Sequence, residues 1–341
     1  MKRRIQRAGG FTVATLVFKV LLGVSLVSSS CSKQDNPGKV ESITVGYSPF
    51  ESSTLFFIAA DQRYFSQNGL NMIPRKYDTG FATLGGLLNH EVDVAVGTSE
   101  FPVVGRALQK ENLLIIGNID KAEIIYLLGR KDRGIDKVSD LRGKRIGTTF
   151  GTVAHFHLGR FLNLHGMDIQ DTILVGVKKP DEWVTAVVDG DIDAIATAQP
   201  YASFVKSRLG ENAVVWSAQS GQPVHGLVIS SKDWITKHPG GTGRFLQSLA
   251  QAEDYLLQHP AEAKTILQKQ LNVDAAYVET LWSQNQFSLC LDQALVATME
   301  DEARWMIRNN LASEKNVPNF LDYIYEDALK AVRADAVTII R

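Results

Sequence analysis

Two stretches of this chain place hydrogen-bonding residues where a helix is expected to begin: Thr98-Ser99-Glu100 and Gly151-Thr152-Val153. The first turn of a helix leaves backbone N–H groups unpaired and carries the positive end of the helix dipole, so each start attracts an anion or a hydrogen-bond acceptor. Thr152 also fits a plain N-cap. Glu100 either accepts from an N–H-bearing ligand such as a pyrimidine or amine, or simply sits in a first turn where the dipole favours a carboxylate. His155 and His157 are two apart on the expected helix and do not share a face, which argues against a metal site. His155, in the first turn, can still reach a cleft and donate to a ligand, or remain a partly solvated imidazole. His225, beside Gly226, suits ligand contact and hinge packing equally, and Trp183 suits a cleft wall or a helix-start anchor.

The elements that must hold these residues follow from hydrophobic period. Ser42–Tyr47 alternates as a first strand, a polar turn from Ser48 to Ser53 leads into a helix, and Asn71–Tyr77 reads as a second strand. A helix with Phe81, Leu84, Leu87 and Leu88 inward precedes a buried strand at Val92–Gly97. After segments at Leu113–Gly117 and Ile124–Gly129, Arg145–Gly147 opens a second series, with a helix whose stripe is Val153, Phe156, Leu158, Phe161, Leu162 and Leu164 and whose end is marked by Gly166. Strand–helix alternation of this density predicts α/β architecture with largely parallel sheets and a ligand at the carboxyl ends of the strands.

The two series echo each other. Leu88-Asn89-His90-Glu91-Val92-Asp93-Val94-Ala95-Val96-Gly97-Thr98-Ser99-Glu100 matches Val188-Asp189-Gly190-Asp191-Ile192-Asp193-Ala194-Ile195-Ala196-Thr197-Ala198-Gln199-Pro200 in its helix end, acidic turn, short strand and polar helix start. Two similar lobes with the site in the gap between them is the simplest arrangement. The remainder is helical, over Gly243–Gln258, Ala261–Gln270, Ala275–Trp282, Asp292–Asn309 and Asn319–Arg333, with apolar faces that read as packing surfaces.

The amino terminus has the features of an export signal: Lys2, Arg3, Arg4 and Arg7, an apolar run from Phe11 to Val27, and small residues Ser28-Ser29-Ser30 before Cys31. Cleavage before Cys31 predicts a bacterial lipoprotein with residues 1–30 as signal peptide, Cys31 as the lipidation site and 31–40 as a tether, although Ser28 stands where such signals usually carry Leu. Loss of residues 1–30 removes five basic side chains and no acidic ones, leaving 31 basic against 37 acidic residues and a net charge of −6. No nucleic-acid partner is implied. With Cys31 acylated, Cys290 has no disulfide partner and, between Leu289 and Leu291, reads as a buried apolar filler.

Six segments in register resemble the nitrate/sulfonate/taurine-type substrate-binding proteins of ABC importers, a family that also includes binders of thiamine-precursor pyrimidines. They are Val45-Gly46-Tyr47, Asp61–Phe65 with Asn68-Gly69-Leu70, Glu91–Ala95, Asp140–Lys144, Gly190–Ala194 and Leu291–Leu295. The resemblance implies a two-lobed type II periplasmic binding protein fold with C-terminal helices, crossed twice by the chain. The crossings are expected near Leu128–Lys131 and His225–Ile229, giving lobe one as 41–128 plus 229–341 and lobe two as 129–228. It implies ligand contacts from Ser48, Ser52 and Ser53, from Thr98, Ser99 and Glu100, and from Phe150, Thr152 and Val153, to which His155, Gln199 and His225 are added. Many relatives carry an aromatic and an acid where this chain has Ala198 and Gln199, a neutral pair that departs from the sulfonate pattern.

The implied function is extracytoplasmic capture of a small polar or anionic solute by a monomer that closes its cleft, with an ABC permease and its ATPase as partners, the membrane reached through a lipid anchor, and no cofactor or metal. Sulfonate, carboxylate, nitrate and pyrimidine suit helix-start donors alike. An enzyme of menaquinone-precursor or thiamine-pyrimidine type on the same fold is the alternative, as is a ligand sensor for a membrane receptor. The chain has no Ser-His-Asp order, no G-x-S-x-G, no P-loop and no cysteine-rich iron motif.

Overall fold

The computed structural model describes residues 40–341. The leader, most of the tether and the lipidation site Cys31 lie outside the described residues.

Among the described residues, eleven strands form two sheets. The first contains β1 (Glu41–Tyr47), β2 (Leu70–Lys76), β3 (Val94–Ser99), β4 (Leu114–Ala122), β10 (Val224–Ser230) and the two-residue β11 (Asn285–Gln286), in the order β11-β4-β10-β3-β1-β2. The second contains β5 (Ile125–Arg130), β6 (Arg145–Thr148), β7 (Ile173–Gly176), β8 (Ala194–Ala198) and β9 (Ala213–Ser217), in the order β7-β6-β8-β5-β9. In each sheet the early strands run parallel, and the strand nearest a crossing, β10 or β5, lies antiparallel to both neighbours. The most central strands are buried along nearly their whole length, as expected for a sheet covered on both faces.

The echo read from sequence is a shared bond. The Thr44 N–H donates to Asp93 Oδ2 at 2.7 Å and the Asp93 N–H returns to the Thr44 carbonyl at 2.8 Å. In the second lobe the Arg145 N–H donates to Asp193 Oδ2 at 2.9 Å and the Asp193 N–H returns to the Arg145 carbonyl at 2.8 Å. Each aspartate thereby ties the start of its strand to the neighbouring parallel strand, β1 in lobe one and β6 in lobe two.

The crossings fall earlier in the chain than the sequence suggests. Leu128 and Gly129 are already paired inside the second sheet, and His225 is already inside the first, so the chain passes between sheets at Glu123–Ile124 and at Ala218–Pro223. The buried Gln219 joins the two crossings: its carbonyl oxygen accepts from the Ile124 and Ile125 N–H groups, and its amide donates to the carbonyls of Ala122 (2.8 Å) and Gln222 (2.9 Å).

The C-terminal helices, over Pro239–Gln258, Pro260–Leu271, Ala275–Gln284 and Gln293–Arg308, pack mainly against one another and against the helices Thr54–Asp61 and Glu100–Leu108 that flank the first sheet. The helix Gln293–Arg308 buries Leu295, Met299, Ala303 and Met306 as its spacing predicts. Asn319–Arg333 is not one helix. The Tyr325 N–H pairs with the Ile115 carbonyl at the sheet, which holds this stretch extended between a 3-10 turn at Phe320–Tyr323 and a short helix at Asp327–Val332. Cys290 is half-buried rather than a core filler, since its backbone pairs with Asn118 along β4; burial nonetheless pushes its thiol up and away from nucleophilic reactivity.

Candidate functional site

The carboxyl ends of β1, β3, β6 and β8 meet the two crossings in a cleft of about 980 Å³, part of it open to solvent. Its lobe-two floor starts at β6. Gly151, at φ +76°, turns the chain into the helix Val153–Leu164, which closes at Gly166 with a Schellman pair: Met167 N–H to Leu162 carbonyl and Gly166 N–H to Asn163 carbonyl. Apart from the exposed Leu164, the predicted stripe is buried. Thr152 occupies the N-cap, but its hydroxyl donates backwards to the Thr149 carbonyl at 2.7 Å instead of capping. Val153 and Ala154 line the cleft, and their N–H groups have no acceptor among the described residues. An acceptor atom of a ligand suits that position.

The lobe-one wall is built by the turn after β1. Ser53 donates to the Ser48 carbonyl at 3.0 Å, and Ser52 donates to the Gly97 carbonyl at 3.2 Å. A Cβ on Gly97 would lie 2.6 Å from Ser53 Oγ, so the close approach of turn and strand requires glycine there, at φ +73°. This packing carries Ser48, Glu51 and Ser52 to the cleft.

Of the residues expected to contact a ligand, Ser48, Ser52, Ser99, Thr152, Val153 and His225 line the cleft together. Six others lie elsewhere. Ser53 is consumed by the turn, and the buried Thr98 hydroxyl bonds Thr83 Oγ1 (2.7 Å) and the Gly80 carbonyl (3.0 Å). Glu100 turns inward, where its Oε2 accepts from the His225 N–H at 2.9 Å and its carboxyl meets that of Glu302; burial raises both. The Gln199 carbonyl accepts from the Ser203 hydroxyl at 2.8 Å behind the wall. Phe150 and His155 stand in an adjacent hollow, with ring centroids 5.2 Å apart, where His155 also meets Trp305 edge-on at 5.2 Å. Burial lowers His155 and His225 to about 4, so both imidazoles are neutral at pH 7.

Phe81, Glu51 and Asp120 line the cleft but escaped the sequence reading, and Trp183 was left between two roles. Phe81, expected inward, projects from the first turn of its helix into the cleft, because that turn sits at the strands' carboxyl ends. Trp183 is both wall and anchor: it lines the cleft, donates to the Val177 carbonyl at 3.4 Å and meets Tyr201 edge-on at 4.8 Å. Glu51 and Asp120 line the lobe-one wall, buried to 3% and 2% exposure. The signal for Asp120 was an acid inside an apolar stretch, missed because the strand was expected to stop at Gly117 and runs to Ala122. Among the described residues no group of three or more His, Cys, Asp or Glu is placed to hold a metal ion. The cleft offers hydrogen-bond donors on one wall, acids on the other and aromatic rings between, an arrangement for holding a small polar molecule.

The chain resembles known proteins over most of its length. A protein of Brucella abortus (strain 2308) named as a binding protein is 24% identical over 250 residues, covering 70% of this chain and 74% of that one. One of Bacillus subtilis (strain 168), named for binding aliphatic sulfonates, is 22% identical over 306 residues, covering 87% and 91%. The crystal structure of the alkanesulfonate-binding protein of Xanthomonas axonopodis pv. citri bound to MOPS superposes with a TM-score of 0.72 at 19% identity, covering 85% of this chain and 99% of that one. At that identity the likeness concerns the fold, the two-lobed periplasmic binding protein architecture. Residues 51–263 match the family model described as NMT1/THI5 like, and with more than half of its length matched the chain belongs to that family.

Proposed function

We propose that this protein is the solute-binding component of an ABC importer, an extracytoplasmic lipoprotein whose lobes close over a small polar ligand for delivery to a permease and its ATPase. The observation that carries this reading is the cleft itself, lined by Val153 and Ala154, with their unpaired N–H groups, on one lobe and by Ser48, Ser52 and Ser99 on the other. Two lobes joined by two short crossings reach both sets of groups at once only when closed, so a ligand bound by both favours the closed form. The names of the sulfonate-binding relatives support an importer role and supply one ligand class to try.

Thermal-shift screening of sulfonates, carboxylates, nitrate, pyrimidines and amines tests binding, since a ligand at about 100 times its dissociation constant adds about 2.7 kcal/mol of stability. Small-angle scattering with the best ligand should show a smaller radius of gyration. An unchanged radius, with binding verified by calorimetry, would count against cleft closure. Anchoring is tested separately: the native protein should fractionate with membranes and Cys31→Ser should not, and a native protein found wholly soluble refutes the lipoprotein reading.

A further inference from the structure

The two walls of the cleft differ in chemistry. Lobe two offers backbone donors, whereas lobe one offers the carboxyls of Glu51 and Asp120, close enough to repel one another. Among the described residues no side chain donates a hydrogen bond to either carboxyl, and Asp120 Oδ1 has no partner. Ser48 Oγ and both ring nitrogens of His225, on the same wall and fully buried, are also without partners. The nearby Lys121 is engaged by Asp292 instead, and Lys178, the one basic side chain lining the cleft among the described residues, stands exposed on lobe two. Two buried carboxyls without a cation are costly as charges, and such groups persist where they are paired or protonated.

We propose that Glu51 and Asp120 form the acceptor half of the binding site and that the ligand carries a protonated amine or amidine seated between them. This rests on the solute-binding reading and adds the ligand's charge. Phe50, Phe81 and Trp183 line the same cleft and give a cationic head aromatic faces as well. The acceptor end of the ligand then meets the Val153 and Ala154 N–H groups.

Proton linkage separates this from the competing use of the same residues, in which protonated carboxyls donate to an oxyanion. Burial raises Glu51 to about 7, and burial together with the charge of Glu51 raises Asp120 well above its ordinary range. The titratable groups around Glu51 are Asp120 on β4, His225 on β10 and Tyr277 on the helix Ala275–Gln284, with Lys178 at the mouth. His225 stays neutral above about pH 5 and Tyr277 is pushed up by burial, so near neutrality the acids dominate the titration. A cation expels the proton they hold and binds more tightly as pH rises; an oxyanion needs that proton and binds more weakly.

The experiment uses the purified whole protein and three matched pairs: taurine with isethionate, 3-aminopropionate with 3-hydroxypropionate, and benzamidine with benzamide. Calorimetry should show at least one cationic member binding about tenfold or more tightly than its partner, the worth of a charged hydrogen bond, with affinity rising between about pH 6 and 8. Glu51→Gln and Asp120→Asn should each lower that affinity by about tenfold, change the partner's by much less and keep a cooperative melt. The proposal is overturned if the uncharged or purely anionic member binds as well as its partner, or if affinity falls as pH rises; either result leaves the solute-binding reading intact. If none of the six binds and the wider ligand panel also fails, both readings fall together.

Discussion

Gly159 lies so close to the indole of Trp305 that a Cβ on it would stand 2.4 Å from Cζ2. Gly159 belongs to the lobe-two helix Val153–Leu164 and Trp305 to the lobe-one helix Gln293–Arg308, so this contact joins the lobes outside the cleft. Phe101 of lobe one and Phe156 of lobe two complete an aromatic cluster around the same indole, at 5.8 and 5.6 Å. Trp305→Ala should cost about 3–5 kcal/mol, as truncation of a buried aromatic does. Gly159→Ala should cost about 1–3 kcal/mol by overpacking. Chemical denaturation of the double variant should show less than the summed loss, because the clash disappears with the ring; strict additivity would mean the two residues do not meet.

The start of the Val153–Leu164 helix can be tested by removing a single N–H. Thr152 is extended at φ −115° and ψ 167°, which a following proline accepts, and proline at the first helical position fits helix geometry. Val153→Pro should fold normally and bind the ligand's acceptor end more weakly, by about 1–2 kcal/mol, in calorimetric titration. Thr152→Ala loses only the bond that braces Thr149, and about 0.5–1.5 kcal/mol of binding or stability should go with it. A Val153→Pro protein binding at full strength would rule out the helix start as a ligand contact.

Gln219 predicts the behaviour of the crossings. Gln219→Leu leaves buried backbone groups of Ala122, Ile124 and Ile125 without their partner, at about 1–3 kcal/mol for each unsatisfied group. Melting temperature should fall by several degrees, and hydrogen exchange at Ile124 and Ile125 should accelerate ahead of the sheets. Exchange that rises uniformly through both lobes would show that Gln219 does not hold the crossings specifically.

Buried acids and histidines pull stability in opposite pH directions. Glu302 is raised well above its ordinary value by burial and by Glu100, so its contribution is present below about pH 4.5 and is lost as pH rises. His157 is lowered to about 3 by burial, so its contribution is present above about pH 6.5 and is lost as pH falls towards 3. Glu302→Gln should therefore raise the melting temperature more at pH 8 than at pH 5, and His157→Leu should help more at pH 4.5 than at pH 8. Calorimetric scans at these pH values check both signs; equal effects across pH would contradict the burial of these groups.

The architecture was legible because each lobe repeats the same local chemistry, an acidic turn and a buried strand, and Asp93 and Asp193 show that the repeat is structural. The helix starts were legible too, since glycine and threonine announce them. Direction was not legible. Thr98 and Ser99 are neighbours, yet the phase of β3 turns Thr98 inward and Ser99 to the cleft. Gln199 stood at the right level, but a serine four residues later occupies its carbonyl. Glu51 was visible in the serine turn, but only folding against β4 reveals Asp120 beside it.

The strand order carries a consequence for a chain made from its amino end. Strands β1 to β4 emerge first, but β10 lies between β3 and β4, and residues 224–230 are synthesised only after the whole of lobe two. Until then the first sheet has an empty slot at its centre, and both strands flanking it present unpaired edges. Lobe two, whose five strands are contiguous in sequence, can complete itself earlier. The half-made lobe one is thus the species most exposed to wrong pairing during biogenesis, and the one a holding chaperone would recognise.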